Sequence, residues 1–107
     1  MATATFRRDG DASNGAAGIW NYTNINSQAT TVVKSSSGIL HCLIINTPTA
    51  TTTVTMYDNT AASGTKIGTL TIASGQPALS LEYDIEFLNG LTIVTGTANS
   101  DITVAYA

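Results

Sequence analysis

The sequence predicts an all-β fold: a small antiparallel β-sandwich or jelly roll with an extended N-terminal arm. Three observations point to it. Nineteen of the 107 residues are threonine, whose branched side chain favours strands over helices. Short runs of strand-forming residues recur roughly every 9–15 residues between clusters of turn-forming residues. No window shows the period of about 3.6 residues that marks an amphipathic helix.

The chain divides into two regions that differ in composition and in hydrophobic patterning. Residues 1–28 are polar, rich in Gly, Ala and Asn, and lack a sustained strand or helix period, so they are predicted to form the arm. Residues 29–107 are predicted to form the sandwich. Seven strands are expected there, at 30–34, 39–45, 51–57, 66–72, 79–87, 91–95 and 102–106.

Turn-forming residues end each of the first four predicted strands. The first strand stops at Ser35–Gly38, and the second at Asn46–Pro48. The third runs into residues 58–64, and the fourth ends at residues 73–77. Because Gly, Pro, Asn, Asp and Ser each favour a turn for a definite stereochemical reason, these boundaries are well marked.

The last three predicted strands include the clearest alternation in the chain. In residues 79–87, five apolar side chains alternate with Glu82, Asp84 and Glu86. Asn89–Gly90 follows and suits either a tight type I′ turn or a longer connection. The sequence predicts a loop at residues 96–100 between the final two strands.

Composition excludes several classes of protein. Charged residues make up 10% of the chain, the net charge is −3, and four residues are basic, which does not suit a nucleic-acid-binding surface. No apolar run approaches the roughly 18 residues needed to span a membrane. A single cysteine, Cys42, rules out an intrachain disulfide, and the N-terminus does not resemble a signal peptide. We therefore expect synthesis in a cytoplasm, with neither nucleic acid nor a membrane as a partner.

The residues that could perform chemistry do not form a recognisable active site. No glycine-rich phosphate loop or nucleophile motif is present, and His41 is the only imidazole. The row Glu82, Asp84 and Glu86 could be read as a cation site or as paired carboxylates. A straight row does not surround a cation, so a solvated face is favoured. The sequence predicts no enzyme activity and no cofactor.

Residues 39–45 are apolar on both predicted faces. In an antiparallel sandwich one face of a strand meets the core and the other is usually wet, so a doubly apolar strand indicates burial on both sides. The arm or another protein chain could cover the second face, and we favour another chain. The predicted contacts between copies are Ile39, His41, Leu43 and Ile45.

The arm carries residues suited to contact with a partner. Arg7 and Arg8 are half of the basic residues, and Trp20 and Tyr22 are large aromatic side chains in an otherwise polar segment. They could stack on a sugar or a base, but they are predicted to anchor a protein contact.

Several strings in the sandwich region are similar to one group of proteins. They are Gly38–His41, Val54–Thr65, Leu81–Tyr83 with Phe87, Gly90–Val94 and Ile102–Tyr106. They resemble small all-β virion proteins of tailed bacteriophages, namely capsid decoration (cement) and head-fibre modules. That resemblance implies a shell-binding module, often a trimer, that has no catalytic residues and reinforces the capsid.

The function expected from this resemblance is capsid decoration by a homo-oligomer, expected to be a trimer, on the major capsid protein at the virion surface. Arg7, Arg8, Trp20 and Tyr22 would contact the shell. One alternative is a receptor-binding module of a tail fibre or baseplate, which would recognise a glycan or a cell surface. A second is a hydrolase that uses the acidic row.

Overall fold

Two four-stranded antiparallel sheets pack face to face in the computed structural model, which describes residues 20–46, 48, 50–96 and 101–107. One sheet has the strand order β1-β8-β3-β6 and the other β2-β7-β4-β5. All connections but the one between β4 and β5 cross from one sheet to the other, which is the path of an eight-stranded jelly roll. The predicted fold class is confirmed. The strands are β1 (Asn21–Ile25), β2 (Ala29–Lys34), β3 (Gly38–Ile45), β4 (Thr52–Asp58), β5 (Thr65–Ile72), β6 (Leu79–Phe87), β7 (Leu91–Gly96) and β8 (Ile102–Tyr106).

The core lies between the two sheets and is built mainly of aliphatic side chains. Phe87 is the largest fully buried side chain, and each such side chain contributes roughly 1.5–3 kcal/mol when it leaves water. Both sheets contribute side chains to this core cluster, so each sheet needs the other to exclude water from its apolar face. Its members are Ile25, Leu40, Leu43, Ile45, Val54, Met56, Ile72, Phe87, Leu91, Ile93, Ile102 and Val104.

Among the described residues three threonines are also buried, and each hydroxyl has a backbone partner. Thr52 donates to the carbonyl of Gly96, Thr92 donates to the carbonyl of Asn59 at 2.8 Å, and Thr95 donates to the carbonyl of Ser27 at 2.5 Å. A buried hydroxyl without such a partner would destabilise the fold. The high threonine content therefore serves the interior as well as the strand surfaces.

An additional strand lies within residues that the sequence assigned to the arm. Asn21–Ile25 forms β1, which pairs antiparallel with β8 from Asn21 opposite Tyr106 to Ile25 opposite Ile102. The described residues thus form eight strands, where the sequence predicted seven. The sequence did not indicate β1 because three of its five residues are polar and Ile25 is its single buried side chain. Residues 1–19 of the predicted arm lie outside the described residues.

The predicted alternation along β3 is wrong for its second half. Leu43 and Ile45 belong to the core, whereas we expected them on the outer side with Ile39 and His41. The pairing of β3 is irregular between Leu40 and Cys42 on both sides of the strand, toward β6 and toward β8. Leu40 and Leu43 both face the core although they are three residues apart, so the alternation loses one step at His41.

Gly38 lies where the backbone of β3 approaches other groups very closely. A Cβ at this position would overlap the carbonyl oxygen of Ala107 and would lie 2.8 Å from the ring of Phe87. Ile39 and Ala107 exchange a pair of backbone hydrogen bonds of 2.9 Å beside it. A side chain at residue 38 would have to push these backbones apart.

We therefore expect Gly38→Ala to destabilise the fold by about 2 kcal/mol, as overpacking in a filled interior does. Urea unfolding would measure this loss. The matched control is Gly96→Ala, because a Cβ at residue 96 would meet no described atom within 4 Å. Equal stability of the two variants would contradict the close approach at Gly38.

The carboxylate of Asp58, at the end of β4, holds the connection between β6 and β7. Its oxygens accept hydrogen bonds from the backbone N–H groups of Leu88 at 3.0 Å and Asn89 at 2.8 Å. These bonds stabilise the ionised form and hold the pKa of Asp58 below its usual value of 3.8, the bond from Asn89 having the largest effect.

A lowered folded-state pKa has a definite consequence for stability against pH. Ionised Asp58 stabilises the folded state above its unfolded pKa near 3.8, and this contribution is lost as the pH falls through the lower folded-state pKa. We expect Asp58→Asn to lower the urea midpoint at pH 7 and to have a smaller effect in strong acid. Lys66→Gln, which removes a charge from an exposed strand position, is the control. Parallel pH profiles for Asp58→Asn and the wild type would refute this role.

Candidate functional site

The candidate site is the face of the β1-β8-β3-β6 sheet that is turned away from the core, which we call the outer face. Register places Ile39 opposite Glu86 and Cys42 opposite Glu82 on this face. Tyr22 projects from edge strand β1 with 73% of its surface exposed. The outer face thus combines aromatic, aliphatic and acidic side chains.

Three side chains from three parts of the chain meet on the outer face. Trp20, just before β1, stacks on His41 of β3, with 4.2 Å between ring centroids and 5° between ring planes. The Nδ1 atom of His41 lies 2.5 Å from Oδ1 of Asp84 on β6. A stacked aromatic pair of this kind contributes roughly 0.5–1.5 kcal/mol beyond the area it buries.

Local backbone geometry explains why these groups meet. His41 lies opposite two residues of β6, Tyr83 and Asp84, at the point where the register shifts. Asp84 has a φ of 49°, the only positive φ among the described non-glycine residues. Aspartate tolerates this left-handed conformation better than most residues do. The irregularity turns the Asp84 carboxylate toward the imidazole.

This cluster can orient side chains: Asp84 orients the ring of His41, and His41 holds the ring of Trp20. In the neutral ring, Nδ1–H donates to the Asp84 carboxylate, which fixes the plane on which Trp20 stacks. His41 keeps about a quarter of its side chain exposed, and Asp84 more than half. Among the described residues, no group of three or more His, Cys, Asp or Glu side chains could hold a metal ion. His41 and Asp84 therefore hold the Trp20 side chain in place, and we call this pair the clamp.

The structure brings together only some of the residues predicted as contacts. Trp20 and His41 meet directly, while Tyr22 and Ile39 are exposed. Leu43 and Ile45 are buried inside the sandwich, so they cannot lie between copies of a folded domain. Arg7 and Arg8 fall outside the described residues. Sequence reasoning missed the part played by Asp84, since pairing with His41 depends on a register shift that no sequence pattern marks.

The acidic row lies on β6, an edge strand. Glu82 and Glu86 are exposed, and Asp84 between them pairs with His41. Like charges along an edge discourage pairing with a further strand. In the part of the chain that the structure describes, no helix is long and apolar enough to cross a membrane.

Cys42 is buried and has no described disulfide partner. Its side chain lies outside the core cluster, on the outer side of β3 beside His41. A buried thiol in such a position behaves as a small apolar group.

Comparison with known proteins gives one remote likeness. No protein-family model matches the chain, and no curated protein matches it. A solved chain from Bacillus endospore appendages, described as a novel family of disulfide-linked pili, is similar at 16% identity with a TM-score of 0.39. The likeness covers 91% of this chain and 97% of that one. At this identity and score it carries no argument about function.

The predicted resemblance to capsid decoration and head-fibre proteins is wrong. The solved chain that matches belongs to a spore appendage, and neither a family model nor a curated protein connects this sequence to a virion. Capsid decoration, the tail-fibre alternative, the major capsid protein as partner and the virion surface as location are corrected with it.

The residues behind that resemblance have structural tasks. Asp58 holds the connection after β6, as described above. The side chain of Asn59 accepts a hydrogen bond from the N–H of Thr60 at 2.8 Å and donates one to the carbonyl of Ser63 at 2.8 Å. The string from Tyr57 to Thr65 therefore shapes a loop of the jelly roll, and its residues say little about what the protein does.

The clamp predicts the behaviour of Trp20 fluorescence, which is specific because the chain has a single tryptophan. We expect His41→Ala to increase acrylamide quenching, to shift the emission to longer wavelength and to cost about 1 kcal/mol of stability. His41→Phe should retain most of the stacking, and Tyr22→Ala should leave the emission unchanged. Unaltered quenching in His41→Ala would show that the stack does not shield Trp20.

Proposed function

We propose that the protein is a non-enzymatic structural subunit that associates with further copies of itself. The single observation that carries the proposal is a pair of uncharged strand edges on one side of the sandwich. β1 and β2 are edge strands of different sheets, and they contact each other.

No charged residue occurs between Asn21 and Val33, which spans all of β1 and all of β2 except its last residue. Each edge strand leaves one side of its backbone without a partner strand among the described residues. Proteins that remain single usually protect such edges with charges, prolines or bulges. Lys34 and the register shift beside it protect only the end of β2.

Exposed apolar side chains accompany these edges. Tyr22 on β1 is 73% exposed and Val32 on β2 is 47% exposed. Large side chains of this kind, next to unpaired backbone groups, favour addition of a strand from another chain. The far side of the sandwich differs, because β6 carries three carboxylates and β5 carries Lys66.

The remote likeness to an appendage subunit agrees with self-association, but we base the proposal on the edges. A disulfide link of the kind named for those pili is not expected at Cys42, because this thiol is buried. Association through strand edges alone needs no cross-link.

A charge placed on the β2 edge tests the proposal. We expect the wild type to form oligomers in light scattering after size-exclusion chromatography. The variant Thr30→Lys/Val32→Lys should raise the dissociation constant at least about tenfold, which corresponds to about 1.4 kcal/mol. Ala62→Lys, in the exposed loop between β4 and β5, is the control with added charge away from the edges.

A second pair of charges distinguishes the geometry of association. Thr69→Lys/Thr71→Lys places lysines at exposed positions of β5, the opposite edge of the same sheet. If β2 meets β2 of another copy, these lysines have no effect and a closed dimer forms. If β2 meets β5, they also block association, and the wild type forms a ring or a filament. A wild type that stays monomeric at every concentration, or charged β2 variants that assemble normally, would refute the proposed function.

A further inference from the structure

We infer that residues 1–19 dock on the outer face of their own subunit, with Arg7 and Arg8 against Glu82 and Glu86 of β6. The occupant of this face is thus a segment of the same chain. The inference does not rest on self-association, since it applies to a single molecule.

Trp20, which directly follows the segment, has its side chain on the outer face. Its ring does not point away from edge strand β1 but stacks on His41 of β3, and β8 lies between β1 and β3. The side chain therefore reaches across the outer face toward β6. Because Asp84 of β6 orients His41, the anchor of the segment and the acidic strand belong to one connected cluster.

Charge complementarity identifies the part of the segment that meets β6. Five carboxylates occur among the described residues, and three of them lie on β6. Asp84 has His41 as its partner, and neither described lysine forms an ion pair with Glu82 or Glu86. Arg7 and Arg8 are the two remaining basic residues of the chain. Asp9 and Asp11 make the segment neutral as a whole, so attraction is confined to the arginine pair.

The connecting chain is long enough for this contact. Arg8 lies twelve positions before Trp20, and an extended chain of twelve residue steps spans up to about 40 Å. Neighbouring strands lie only about 4.8 Å apart, and His41 is on the strand adjacent to β6. No second subunit is needed to bring the arginines to Glu82 and Glu86.

The outer face also gains from being covered. Ile39, opposite Glu86, is 41% exposed on this face. A docked segment would shield it and would occupy the neighbourhood of the β6 edge. The chain then protects this edge both by its carboxylates and by its own N-terminal residues.

Trypsin supplies the first test, since it cleaves after arginine. In the full chain, Glu82→Gln/Glu86→Gln should accelerate cleavage after Arg7 and Arg8 by about fivefold or more, the effect of losing two exposed ion pairs. Trp20→Ala should do the same by removing the anchor. Asp101→Asn, which removes a carboxylate at the other end of the sheet, is the control and should cleave at the wild-type rate. Unchanged cleavage in both Gln and Ala variants would overturn the inference.

A spin label distinguishes docking within one subunit from docking on a neighbour. The label is attached at Ala12→Cys in a Cys42→Ala background, and the amide signals of β6 are followed by NMR. We expect these signals to broaden, to remain broadened when unlabelled chain is added in excess, and to sharpen in 1 M salt because such pairs are screened. In a mixed sample, the amide signals can instead be observed in a chain that carries no spin label. Broadening of the β6 signals in that chain would mean docking on a neighbouring subunit and would overturn docking within the subunit. That result would not decide whether copies associate through the β1 and β2 edges, which the lysine variants of β2 and β5 test separately.

Discussion

The arrangement of the outer face depends on one irregularity in a central strand. β3 lies between β8 and β6, and its pairing with both neighbours shifts at His41. This shift sends Leu43 and Ile45 into the core and leaves His41 on the opposite side. Asp84 adopts its left-handed backbone at the same level, so the imidazole, the carboxylate and Trp20 can meet. Bulges are frequent where a protein must redirect a side chain, and here the redirected imidazole stacks on Trp20.

The two sides of the sandwich are unlike in a way that bears on assembly. The β1 and β2 edges are neutral and carry exposed apolar groups, whereas β6 bears a row of carboxylates. A subunit with two equally protected edges would remain single, and one with two open edges would aggregate without direction. Unlike edges would allow association through β1 or β2 while discouraging addition of a strand at β6.

Much of the fold was predictable because its strands are short, rich in threonine and separated by turn-forming residues. The seven predicted strands correspond to β2–β8, and the crossing of the connection after Phe87 into the other sheet agrees with the longer link considered at Asn89–Gly90. β1 was missed because its sequence is polar. The face of Leu43 could not be predicted, since a continuous apolar run gives no signal of a lost step.

The candidate site was less accessible from the sequence than the fold. Trp20 and His41 were singled out for different reasons, and nothing in their spacing indicates that they stack. Asp84 was assigned to a solvated row. Its neighbours Glu82 and Glu86 are exposed, but Asp84 also pairs with His41. The virion assignment failed for a related reason. The string from Tyr57 to Thr65 is conspicuous in the sequence, but its polar residues bond to nearby backbone groups.

That same loop has a practical consequence. Residues 60–65 are all exposed, while Asp58 and Asn59 secure the loop at its base through bonds that do not involve its tip. Exposed tips with a firm base are where domains accept inserted peptides most readily. A foreign epitope placed between Ala61 and Ala62 would be carried by every copy, and an assembly of such copies would display it as a regularly spaced array.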